Sequence, residues 1–95
     1  MTQQEAKEFA HQVSAYLKSR HGASKVLLFG STVDGTFYPG HSDIDLYFEG
    51  VPYENELKAM GETLWEFSRL QLDLVPAGHA KKWIKESIQA TGVAV

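Results

Sequence analysis

Two aspartates, Asp43 and Asp45, stand at alternate positions in Ser42-Asp43-Ile44-Asp45-Leu46. On an extended strand such residues share one face and lie roughly 6.5–7 Å apart along it, while Ile44 and Leu46 point the other way into a core. Two neighbouring carboxylates are costly to bury unpaired, so they should meet solvent or a cation. As a pair they suit Mg²⁺, a hard ion that takes oxygen ligands and works beside substrate phosphates. Read blandly, they are a solvent-facing strand edge. Upstream, the apolar run 26–29 stops at Gly30-Ser31. A glycine lets backbone approach a ligand closely, and amides at a helix start with a hydroxyl beside them can hold a phosphate. Gly-Ser can equally turn a corner and cap a helix. Downstream, Asp73 interrupts the apolar stretch Gln71-Leu72-Asp73-Leu74-Val75. It completes a carboxylate triad if its strand neighbours that of Asp45, or it is an edge-strand charge that discourages aggregation.

The elements that must position these groups follow from periodicity. Thr2 to Glu5 fits a capping box, and Ala6, Phe9, Ala10, Val13, Tyr16 and Leu17 recur at helical spacing, predicting a helix over 3–20. Residues 25–29 form a strand whose unbroken apolar character asks for cover on both faces. A helical turn over 31–34 leads into a loop over 35–41 that holds two glycines and Pro39. A second strand covers 43–49, and a helix over 54–69 carries Leu57, Met60, Leu64 and Phe67 on one stripe. The third strand is 70–75, stopped by Pro76-Ala77-Gly78. The last helix is 81–91, with Trp83, Ile84 and Ile88 facing inward. The apolar tail 93–95 is placed on a sheet edge. This order suits a small α/β or α+β sheet with helices on one side, and residues 1–95 make one domain.

Composition narrows the classes. The chain of 95 residues is 43% hydrophobic and 22% charged, with a formal net charge of −3. That balance argues against a nucleic-acid binder, which usually shows a basic footprint. Cysteine is absent, so disulfides and thiolate metal sites are excluded. Without a leader or a long apolar run, the expectation is a cytoplasmic protein that meets no membrane. No Lys or Arg occurs between Lys25 and Lys58, whereas Asp34, Asp43, Asp45, Glu49, Glu54 and Glu56 do. A triphosphate could settle there only with metal cations to reverse the local sign, so divalent-metal dependence is expected. Lys81, Lys82, Lys85 and Arg69 are the candidate cationic helpers, or simply a solvated face. His41, beside the Asp pair, reads as a loop histidine, and Trp65 and Trp83 read as core.

Gly-Ser, a short interval and Asp-hydrophobic-Asp-hydrophobic resemble the signature of the DNA polymerase beta-like nucleotidyltransferases. The match at 72–75 extends the likeness over most of the chain, whose size resembles that of the minimal nucleotidyltransferases paired with HEPN-domain toxins. Asp-x-Asp also occurs in glycosyltransferases and in haloacid-dehalogenase phosphatases. The dehalogenase pattern places its pair at the end of a first strand before a small hydroxyl residue, whereas Leu46 and Tyr47 follow here.

The resemblance implies an α+β fold with a small mixed sheet of the polymerase-beta palm type, flanked by helices. It implies Mg²⁺ (two ions) held by Asp43, Asp45 and Asp73, with the same three residues catalytic. Gly30, Ser31 and Ser42 would bind the nucleotide, ATP, whose AMP passes to a hydroxyl. The implied acceptor is a tyrosine on a HEPN RNase toxin, for which the protein is the antitoxin. The family pattern often continues Gly-Ser-Arg-x-x-Gly; this chain keeps Gly35 but has Thr32 in place of the arginine and adds Asp34. Two other readings stand beside this one. A catalytically degenerate module would neutralise its partner by contact alone, and a transferase of the aminoglycoside type would modify a small molecule.

Overall fold

Thr2 starts the first helix, α1 (Gln3–His21), by the reciprocal pairing its sequence offers. Its hydroxyl accepts from the Glu5 amide at 3.1 Å, and the Glu5 carboxylate accepts from the Thr2 amide at 2.9 Å. Gly22, at φ 76°, ends the helix in the left-handed conformation that only glycine takes cheaply. The computed structural model describes residues 1–34 and 43–95. The remaining elements, in order, are β1 (Lys25–Phe29), α2 (Ser31–Asp34), β2 (Ile44–Glu49), α3 (Tyr53–Glu66), β3 (Leu72–Pro76), a 3₁₀ turn (Ala77–His79), α4 (Lys82–Thr91) and β4 (Val93–Ala94).

The four strands form one mixed sheet in the order β3-β2-β1-β4. β1 is antiparallel to β2 and to β4, and β2 is parallel to β3, which α3 makes possible as the crossover. With helices beside it, this is an α+β arrangement built on a small mixed sheet, as expected. The tail does pair on an edge: β4 lies against Leu27 and Leu28.

Strand alternation divides the buried residues between two faces. Val26 and Leu28, Ile44, Leu46 and Phe48, and Leu74 pack with Ala6, Ala10, Val13 and Leu17 of α1 and Ala59 of α3. Leu27 and Tyr47 turn the other way and pack with Ile88 of α4, joined by Phe29, Val75 and Ile84. Helices therefore cover both faces, not the single side expected from element order. An unbroken apolar strand such as β1 needs exactly that two-sided cover, which is the stronger of the two sequence signals.

Two helix faces also differ from their expected stripes. In α3 the buried residues are Glu56, Ala59 and Thr63, while Leu57 is 61% exposed. The helix is rotated because Glu56 is drawn inward by the 3₁₀ turn, where the Gly78 amide donates to its Oε2 at 2.8 Å and His79 Nδ1 lies 2.7 Å from its Oε1. Tyr53 caps this cluster, its ring stacked on His79 with centroids 4.1 Å apart. Neither tryptophan is core: Trp65 is 82% exposed and Trp83 68%. Among the described residues no helix is long and apolar enough to cross a membrane.

Candidate active site

Strand register brings the predicted carboxylates together. Asp45 and Asp73 are direct partners across the parallel β2–β3 pair, on strands about 4.8 Å apart. On the other side Asp45 is the partner of Phe29, the last residue of β1. The C-terminal end of β1 and the N-terminal ends of β2 and β3 thus meet at one end of the sheet, on the face that α4 covers. Asp43 precedes β2 by one residue, two before Asp45, and is exposed like Asp73; Asp45 is half-buried.

Gly30 is the backbone wall of this corner. Its φ of 77° is left-handed, and a Cβ there would collide with the Asp45 carboxylate. The glycine is therefore required twice, by conformation and by proximity. The chain then turns into α2, where the Val33 amide donates to the Gly30 carbonyl at 3.0 Å. Ser31 starts that turn and is partly buried. Ser42 and His41 lie outside the described residues.

The electrostatics of the corner are one-sided. Burial, the Asp73 charge and the Asp43 charge together push the Asp45 carboxyl up to about 6. Among the described residues none donates a hydrogen bond to it. A divalent cation would relieve both costs, and a donor set made only of carboxylate oxygens suits Mg²⁺. Among the described residues no three ligands converge closely enough to cage an ion alone.

Two other acidic residues of the cation-free stretch, Glu49 and Glu56, are engaged away from this corner. Glu49, on the same strand face, accepts from Tyr47 Oη at 2.6 Å and Gln89 Nε2 at 2.8 Å. Those donors, with Lys25 and Lys85 nearby, hold it below the usual range. Glu56 is consumed by the 3₁₀ turn. None of the four candidate cationic helpers lines the cleft beside Asp73. Lys82 faces Glu86 at 3.9 Å in solvent, and Arg69 lies with Met1, Phe9 and Leu70 elsewhere. Thr32, which occupies the position of the family arginine, is fully buried, and its carbonyl accepts from Gln3 Nε2 at 2.7 Å.

A cleft of about 620 Å³ adjoins the carboxylates, running from Gly30 and Asp73 under α4 to Trp83 and Thr91. Of Trp83, Ile84 and Ile88, all expected to face inward, Ile84 and Ile88 do pack on the sheet, whereas Trp83 stands at the rim of this cleft, which the sequence did not reveal. The available signal was the helical spacing of Trp83, Ser87 and Thr91, which puts two hydroxyls on the same side as an indole.

The model for the family described as nucleotidyltransferase domain matches residues 11–94. The chain belongs to that family. Its enzyme class is therefore nucleotidyl transfer. No curated protein matches the sequence. Three solved structures share the fold. One, assigned as a minimal nucleotidyltransferase, is 19% identical, with a TM-score of 0.73 over 100% of this chain and 97% of that one. A toxin–antitoxin crystallised with AMP-PNP is 18% identical, at 0.65, over 87% of this chain and 69% of that one. A tri-AMPylated Shewanella oneidensis HEPN toxin in complex with MNT antitoxin is 14% identical, at 0.58, over 98% and 71%. At these identities the likeness is one of fold.

Proposed function

We propose that this nucleotidyltransferase domain, residues 1–95, moves AMP from ATP onto a tyrosine hydroxyl of a HEPN-type RNase toxin and so acts as its antitoxin. The observation that carries the reading is the pairing of Asp45 with Asp73 against the Gly30 wall, where burial and then its like-charged neighbours push the Asp45 carboxyl up. The two toxin–antitoxin relatives, one with AMP-PNP and one AMPylated, supply the partner and nucleotide classes.

In this reading Asp43 and Asp45 hold Mg²⁺, with Asp73 completing the set. Bound there, the ions would supply positive charge against the phosphates and against the attacking and leaving oxygens. Gly30, Ser31 and Ser42 hold the β- and γ-phosphates by backbone amides and hydroxyls. Asp73, exposed at the cleft mouth, orients the acceptor hydroxyl and receives its proton. The hydroxyl oxygen bonds to the α-phosphorus, the α–β bridging bond breaks, and pyrophosphate leaves. Catalysis is then chiefly positioning and electrostatics.

The test mixes the protein with α-labelled ATP, Mg²⁺ and the protein encoded by the neighbouring reading frame, with Asp43→Ala/Asp45→Ala as control. Label on the neighbour, absent in the control, establishes transfer and names the acceptor. Label that survives the double substitution refutes the site. The buried Thr32 in place of an arginine favours a second reading, in which the domain neutralises its partner by contact alone. A tight complex with no label on any component would select it.

A further inference from the structure

We propose that the cleft under α4 seats the nucleoside half of the donor nucleotide, with the Trp83 indole as the platform on which its base stacks. This rests on the nucleotidyl-transfer reading and adds the base subsite to it. The cleft begins at Gly30 and Asp73, so it continues directly from the corner where the phosphates would sit. Its volume, about 620 Å³, falls in the range of small-molecule sites. Phe29, Val75 and Ile84 make its walls apolar, and among the described residues Asp73 is the one charged side chain that lines it. Such a lining rejects a polyphosphate and accepts a flat, uncharged π-system.

Trp83 is the piece that hydrophobic packing does not explain. It lies one helical turn and a residue from Ile88, which is buried on the sheet, yet it remains 68% exposed at the cleft rim. An indole left open beside an apolar cleft is the side chain that gains most from a stacked base. Ser87, one turn further along the same side, offers a hydroxyl to the sugar or to a base edge.

A Trp65→Phe background leaves Trp83 as the sole tryptophan and makes its emission the probe. Titration with Mg·ATP should quench it saturably. Mg·tripolyphosphate should displace ATP without quenching. Measured by calorimetry, Trp83→Ala should weaken ATP about ten-fold or more while tripolyphosphate affinity stays within two-fold, and Trp83→Phe should restore most of the loss. Circular dichroism of each variant confirms folding. Equal ATP affinity in Trp83→Ala overturns the proposal, as does a parallel loss of ATP and tripolyphosphate, which would mark a structural role. Quenching by a tyrosine peptide but not by ATP would assign the cleft to the acceptor and overturn it as well. Failure of the parent protein to bind either ATP or tripolyphosphate with Mg²⁺ would overturn the nucleotide reading itself.

Discussion

Asp45 and Glu49 sit four residues apart on one face of one strand, yet the protein treats them in opposite ways. Glu49 is met by a tyrosine hydroxyl, a glutamine amide and two lysines, and its charge is stabilised. Asp45 is half-buried, pressed against Gly30, and crowded by Asp73 and Asp43, so its charge is opposed. The same chemical group thus locks α4 to the sheet at one end of β2 and leaves an unmet demand for positive charge at the other. A fold selected for stability alone would have served both carboxylates alike.

The largest effect should come from separating the two by function. If Asp45 holds metal as proposed, Asp45→Asn should cut labelled transfer about 10³-fold or more, because charge stabilisation of the transition state is lost. Glu49→Gln should leave transfer within about two-fold; a comparable loss in both would erase the contrast. Glu56 extends the comparison to a third carboxylate, fully committed to structure. Glu56→Ala strands the Gly78 amide and His79 and should cost about 2–3 kcal/mol in chemical denaturation.

The next effect has the opposite sign. Asp45 binds its proton more tightly folded, at about 6, than unfolded, near 3.8. Its contribution therefore favours the fold below pH 4 and is lost as pH rises through 6. Without metal, Asp45→Asn should stabilise the protein at pH 7.5 by about 1 kcal/mol, allowing for solvent screening of a half-exposed group. The gain should vanish by pH 4 and shrink when millimolar Mg²⁺ is added to the parent protein; a pH-independent difference would disprove the charge account. The smallest effect tests ordinary core chemistry. Thr63 is fully buried and its hydroxyl has no partner among the described residues. Thr63→Val should raise stability by about 0.5–1 kcal/mol in a thermal melt.

What could be read from the residues were features set by local rules. The capping box at Thr2 and Glu5, the apolar strand before Gly30 and the alternation around Asp45 each depend on neighbours in sequence. The pairing of Asp45 with Asp73 was legible only as a conditional, since strand order is a property of the sheet. Asp73 also lies on an edge strand, so the bland reading of its charge holds beside the functional one. Three features stayed hidden because distant groups decide them. Glu56 looked like part of an acidic patch until Gly78 and His79 claimed it, and that contact rotated α3 away from its apolar stripe. Trp83 had core chemistry but a rim address, set by where α4 crosses the sheet. Placement of α4 on the second face followed from the two-sided hydrophobicity of β1, a signal that element order had obscured.

The pairing of the last residues with the first half of the chain bears on how the molecule assembles. Val95 donates its amide to the Val26 carbonyl at 3.1 Å, and its own carbonyl accepts from Ser14 Oγ and Lys18 Nζ at 3.0 and 2.8 Å. Ser14 and Val95 are 81 positions apart. Closing so long a span is entropically late and slow, so β4 should dock after the β1–β2 hairpin and the β2–α3–β3 crossover have formed. α1 would then hold its Ser14 hydroxyl unbonded until β4 docks, which makes the zippering of β4 onto β1 a late step in folding.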